Sequence, residues 1–120
     1  VKGGRIIVEN AAEGEKFVTL DNNERTLTKD MLLIKDEERG IAIAGVMGGL
    51  NSEIEEDTTT IIVESANFSG DSVRATSKKL GLRTEASSRF EKGIDPNLCE
   101  AAADRVCQDG QQAWREMESV

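Results

Sequence analysis

The pattern of apolar residues changes its period near the middle of this chain, and that change constrains the fold more than any single motif does. Up to about residue 64, aliphatic and β-branched residues come in short runs divided by turn signals. Arg5–Glu9 is one such run, and Lys16–Leu20 and Arg25–Thr28 flank Asp21-Asn-Asn-Glu24, a sequence suited to a hairpin turn. Leu32–Lys35 and Ile41–Ala44 flank the charged turn Asp36-Glu-Glu-Arg-Gly40. Gly45-Val-Met-Gly-Gly-Leu-Asn-Ser52 then reads as a glycine-rich loop, and Thr59–Glu64, almost wholly β-branched, carries the strongest strand signal. After that the signals are helical. Ser69 or Asp71 can cap a helix running to Lys79 or Leu80, with Gly81 as a left-handed stop. Glu85–Lys92 suits a short helix ending at Gly93. Asp95-Pro96 opens a third helix, which runs past Cys107 to an interruption near Gly110. Strands followed by helices predict an α+β fold: one mixed, largely antiparallel sheet with helices packed on it.

The chain has 120 residues, enough for one core, and reads as a single domain over 1–120. Aromatic content is only 3%, so that core must rest on Ile, Val, Leu and Ala. Opening on Val rather than Met, the chain reads as a piece of a longer protein. No signal peptide is visible, and no apolar run approaches the roughly 20 residues that span a bilayer. Cys99 and Cys107 fall on one predicted helix, about 12 Å apart in rise, too far for a disulfide; they read as small buried hydrophobes. With no histidine and no clustered cysteines, no metal site is expected.

Net charge is −8, which argues against sequence-independent binding of nucleic acid by the whole surface. The charge is uneven, however. Residues 1–64 hold 7 basic against 14 acidic side chains, whereas residues 71–92 hold 6 basic against 3 acidic. Within the latter, Gly81-Leu-Arg-Thr-Glu-Ala-Ser-Ser-Arg-Phe-Glu-Lys-Gly-Ile-Asp95 buries poorly by composition. Arg83, Arg89 and Lys92 can each meet an anion, while Thr84, Ala86, Ser87 and Ser88 leave room for one. A solvated helix face would show the same charges.

Chemistry of the familiar hydrolytic kinds is missing. There is no histidine to serve a nucleophile, no metal cluster and no carboxylate pair in a glycosidase setting. Gly45–Gly49 lacks the Lys-Ser/Thr of a phosphate loop, so its glycines support a tight turn or a close backbone approach to a ligand. Glu64, at the end of an apolar strand, must be hydrogen-bonded, paired or waiting for a polar ligand, unless it simply faces solvent.

Three ordered motifs carry a resemblance. Ala44-Gly-Val-Met-Gly-Gly49, Val63-Glu-Ser-Ala-Asn-Phe68 and Lys79-Leu-Gly-Leu-Arg-Thr-Glu-Ala-Ser-Ser-Arg-Phe-Glu-Lys-Gly-Ile-Asp-Pro96 resemble the editing, or tRNA-binding, module of the bacterial phenylalanine–tRNA ligase beta subunit. The similarity runs from about Val1 to Gln108, and Asp109–Val120 fits less well. The resemblance implies hydrolysis of tyrosine wrongly esterified to phenylalanine tRNA, in protein biosynthesis in the cytoplasm. It implies that Glu64 reads the tyrosine phenol and that Gly45, Thr84 and Ala86 line the same pocket. Because histidine-based machinery is absent, backbone groups of the Gly45 loop and Thr84 are expected to hold the water. The water-activating group stays unknown, and Arg83, Arg89 and Lys92 are candidate tRNA phosphate contacts. Phenylalanine tRNA, the alpha subunit and other beta-subunit domains are the implied partners. No cofactor is implied for this module, whereas the parent ligase uses ATP and magnesium. The family also carries a His-Ala-x-Asp stretch that would fall just before Val1, so weak or no deacylation is expected from the chain alone. The alternatives are a non-catalytic tRNA-binding or bracing module, or, on residues alone, a small-ligand domain with a carboxylate in its pocket.

Overall fold

A computed structural model describes residues 1–118, with side chains described through residue 112. Its contacts fall into two compact units, one of residues 1–56 and 68–93, the other of residues 57–67 and 94–120.

The first unit is built on antiparallel pairing. Strands β1 (Ile7–Asn10), β4 (Leu32–Lys35), β5 (Gly40–Ile43) and β6 (Met47–Gly48) form one sheet in the order β1-β4-β5-β6. Strands β2 (Lys16–Val18) and β3 (Glu24–Thr26) form a separate hairpin, Lys16 opposite Thr26, joined to the larger sheet by a bridge from Thr19 to Gly49. The α+β class is as expected, with the strands divided between two antiparallel sheets. β4 is central because both of its faces are covered, as successive strand residues point to opposite sides. Leu33 packs with Phe17, Leu27, Met31, Ile43, Val46, Val73 and Leu82, while Ile34 packs with Ile41 and Ala44. Aliphatic residues supply nearly all of this, in keeping with the shortage of aromatics.

Turn chemistry sets the registers. Asn22 takes a positive φ of 64° in the β2–β3 turn, a conformation asparagine tolerates better than most residues. Between β4 and β5, Asp36 is buried and accepts three backbone N–H bonds, from Lys2 (2.7 Å), Glu38 (2.9 Å) and Arg39 (2.9 Å). The Lys2 bond leads in holding its carboxyl down at about 2, aided by the bonds from Glu38 and Arg39.

Helix α1 (Gly70–Leu80) starts on Ser69, whose side chain accepts from Ser72 N, and stops at Gly81 with φ 61°. Helix α2 (Glu85–Glu91) follows directly after residues 81–84 and packs against it. The rings of Phe68 and Phe90 lie 5.2 Å apart, closing the space between the sheet side and the two helices.

In the second unit, Asp95 caps a 3-10 turn (Pro96–Leu98) that leads into helix α3 (Cys99–Glu118). Four expectations are corrected in the structure. Thr59–Glu64 forms no strand: no described residue pairs with it, and Ile61 and Ile62 stay 61% exposed. β-branched residues favour a strand only where a neighbour offers a ladder and a face to bury, and local sequence supplies neither. The Gly45 segment is a hairpin, with β6 returning along β5, rather than an open loop. Helix α3 continues through Gly110, where the cost of about 1 kcal/mol for glycine is too small to end a long helix. Cys107 is exposed and Cys99 half-buried, since a small apolar side chain on a helix is buried only where another element covers its face. Asp109–Val120 lies partly outside the described residues.

Candidate functional site

The β5–β6 turn and the start of α2 meet through one side chain. Gly45 sits in the turn with φ +72°. A Cβ there would stand 2.9 Å from Val73 Cγ2 and 3.3 Å from the rings of Phe68 and Phe90, so glycine is required by both backbone conformation and packing. On that side Gly45 faces the protein's own core. The next residue, Val46, presents its carbonyl to Thr84, whose hydroxyl donates to it at 2.7 Å.

Thr84 is also the N-cap of α2. Its Oγ1 accepts from Ser87 N at 3.0 Å, and Thr84 N donates to Ser87 Oγ at 2.9 Å. The spacing Thr84-Glu-Ala-Ser87 is a capping box with serine in the third helical position, a signal that was present in the sequence and not read from it. Ser87, fully buried, is therefore the residue that sequence reasoning missed at this site. The pairing leaves the Thr84 hydroxyl with its proton committed to Val46 and one lone pair free. Thr84 can accept a hydrogen bond from a water but cannot at the same time donate one to a developing oxyanion. Ala86 is exposed on the first turn of α2, next to these groups in sequence.

Glu64 belongs to the second unit, on the segment Asp57–Asn67. As a residue it is exposed, yet surrounding protein atoms strip enough hydration from its carboxyl to push it above the usual glutamate range. The adjacent Ser65 hydroxyl donates to the Cys99 carbonyl at 2.6 Å, which pins this stretch to the start of α3.

The three predicted cations part company. Arg89 pairs with Glu85 at 3.1 Å along the exposed side of α2. Lys92 closes that helix and has no ion pair among the described residues. Arg83 lines a cleft with Arg74, Ser77, Lys78, Gly81, Leu82 and Glu91. Among the described residues, no three His, Cys, Asp or Glu side chains cluster to hold a metal ion. Nor is any described helix long and apolar enough to cross a membrane.

A four-stranded antiparallel sheet, a two-stranded hairpin and a capped helix pair tied to a glycine turn define a small α+β domain whose Gly45 and Thr84 sit on a turn and a cap rather than on strands. The family model of the B3/4 domain matches residues 1–110, and the chain belongs to that family. It is 58% identical over 107 residues to the phenylalanine–tRNA ligase beta subunit of Clostridium tetani, covering 89% of this chain and 14% of that relative. The corresponding subunit of Protochlamydia amoebophila is 61% identical over 97 residues, covering 81% of this chain and 12% of the relative. That of Bacillus subtilis is 53% identical over 103 residues, or 86% and 13%. The chain thus spans about one-seventh of the length of the curated relatives it matches.

Proposed function

We propose that this B3/4 domain is the editing module of a phenylalanine–tRNA ligase beta subunit, hydrolysing tyrosine wrongly esterified to phenylalanine tRNA. The observation that carries the reading is the 2.7 Å bond from the Thr84 hydroxyl to the Val46 carbonyl. It ties the exposed surface at the start of α2, with Ala86, to the buried Gly45 turn, and so fixes that surface beside backbone groups of a second element. In this reading that surface receives the aminoacyl ester, and the attacking water is held by backbone groups of the turn and by the free lone pair of Thr84. No catalytic acid or base is assigned, and the ribose hydroxyl of the tRNA end assists.

Glu64 acts as the reader of the amino acid. An ionised carboxylate accepts a hydrogen bond from a phenol, whereas phenylalanine would leave it dehydrated and unpaired. Recognition of this kind reaches about 10⁴–10⁵-fold, far beyond what an apolar pocket achieves. The module needs no cofactor of its own, ATP and magnesium serving the aminoacylation site of the parent ligase. Its partners are the tRNA, the alpha subunit and the remaining beta-subunit domains, in the cytoplasm.

The test compares release of tyrosine and of phenylalanine from phenylalanine tRNA by the intact ligase carrying this domain, across pH. Because loss of hydration raises the Glu64 carboxyl, tyrosine preference should grow as pH rises through its titration. Glu64→Gln should flatten that dependence and lower preference more than it lowers cleavage. No tyrosine release above buffer would sink the reading, and equal losses of preference and cleavage would remove Glu64 from the reader's role.

A further inference from the structure

α1 carries two cations one helical turn apart, Arg74 and Lys78, and the chain brings a third, Arg83, back beside them after the stop at Gly81. With Ser77, Leu82 and Glu91 they enclose a cleft of about 430 Å³. Helix-end chemistry does not use these charges. Of the last carbonyls of α1, Lys78 O accepts from Gly81 N, Ser77 O from Leu82 N and Leu80 O from Arg25 Nη1, a cation outside the cleft, while Ser77 Oγ donates to Leu82 O. Lys79, on the neighbouring face, is paired with Asp30 at 3.3 Å. Arg74 and Lys78 have no ion pair among the described residues. Arg83 reaches Glu91 only at 3.8 Å and keeps a side chain 77% exposed, against 15% for Glu91. The cleft therefore holds three cations against one recessed carboxylate, on a chain whose net charge is −8.

We propose that this cleft is a phosphate-binding site that takes the sugar–phosphate backbone of an RNA. This deepens the editing reading and rests on it, since a tRNA is what that reading brings to the surface. The three cations stand exposed along a helix face and the loop after it, an arrangement that follows a polymer backbone rather than enclosing a small anion. On an acidic protein, such a patch steers a polyanion to one place while the rest of the surface repels it. Glu91, 3.8 Å from Arg83, competes with a phosphate for that guanidinium and so weakens binding. The contacts are to phosphate and carry no base sequence.

The experiment measures binding of unacylated phenylalanine tRNA to this chain by fluorescence anisotropy over a series of salt concentrations. Each cation that meets a phosphate contributes about 1 to the slope of log K against log salt. The double variant Arg74→Gln/Lys78→Gln should lower that slope by about 2. The double variant Lys2→Gln/Lys29→Gln makes the same change in net charge on exposed side chains outside the cleft and should leave the slope nearly unchanged. Glu91→Gln should tighten binding, the opposite sign. Equal slopes for the two double variants, or weaker binding in Glu91→Gln, would overturn the proposal. Ester cleavage plays no part in this readout. If the chain binds with the expected slopes while the intact ligase carrying this domain releases no tyrosine, the cleft stands and the editing reading falls; editing by that ligase with unchanged slopes does the reverse.

Discussion

Replacing Thr84 by valine keeps the shape and branching of the side chain and removes only the hydroxyl. Two bonds go with it: the 2.7 Å donation to Val46 O and the 3.0 Å acceptance from Ser87 N. Loss of an N-cap costs about 0.5–2 kcal/mol. Leaving a buried carbonyl without its donor costs about 1–3 kcal/mol, and Val46 is only 4% exposed. Thr84 itself is half-buried, so water recovers part of this, and a net loss of about 2–3 kcal/mol is expected. Thr84→Ser is the control, since it keeps both bonds and gives up one methyl group, worth about 0.8 kcal/mol. Urea titrations of the chain followed by far-ultraviolet circular dichroism separate the two. With a slope of about 1–3 kcal/mol per molar urea, the valine variant should melt about 1 M earlier than wild type and the serine variant by less than half of that. Helix α2 has only seven residues and cannot persist without its cap and its docking, so the loss should fall on its amides first in hydrogen exchange. If the valine and serine variants denature together, the Thr84–Val46 link contributes nothing to the fold, and the argument that it holds α2 against the Gly45 turn fails.

Gly45→Ala combines left-handed strain with contact against Val73, Phe68 and Phe90, and should cost about 2–4 kcal/mol by the same titration. Gly93→Ala meets the same sign of φ, +85°, with nothing within 4 Å, so it should cost only the strain, about 1–2 kcal/mol; equal losses at the two sites would refute the packing argument. Asp36 titrates at about 2 in the folded chain against an ordinary 3.8, so its contribution is complete above about 3.8 and is lost as pH falls through 2. Asp36→Asn should be less stable than wild type at neutral pH and lose less on going from pH 5 to 2, as read by circular dichroism. A parallel acid profile for the two would show that the three N–H bonds do not favour the charged form.

Local chemistry was legible in the chain itself. Asn22 in its turn, Ser69 before α1, Gly81 after it, and Asp95-Pro96 before α3 could be placed because capping and positive φ depend on a few adjacent residues. Spacing also put Cys99 and Cys107 on one helix. The candidate site was legible only in part. Gly45, Glu64, Thr84 and Ala86 were singled out through ordered motifs, whereas the partner of Thr84 is a backbone carbonyl, which no side-chain pattern marks. Ser87 looked like one more small residue in a polar run, although Thr84-x-x-Ser87 is a capping box. Arg74 and Lys78 were counted as charges but not joined to Arg83, because the turn at Gly81 is what brings the three to one cleft.

The amino-acid sequence by itself determined the caps at Ser69 and Asp95, the hairpin turns, the helix stops at Gly81 and Gly93, the α+β class and the acidic composition with its basic stretch, all of which follow from neighbouring residues or from composition. Only the tertiary structure decided which apolar runs become strands. Leu32–Lys35 gained a partner on each side and became the central strand, while Thr59–Glu64, richer in β-branched residues, found no ladder among the described residues and stayed irregular. Strand formation depends on a second segment supplying hydrogen bonds and a buried face, and that segment is distant in sequence. The same reason separates Gly45 the turn residue from Gly45 the packed one. Its φ could be suspected from the sequence, but the valine and two phenylalanines that forbid a Cβ are brought there by the fold.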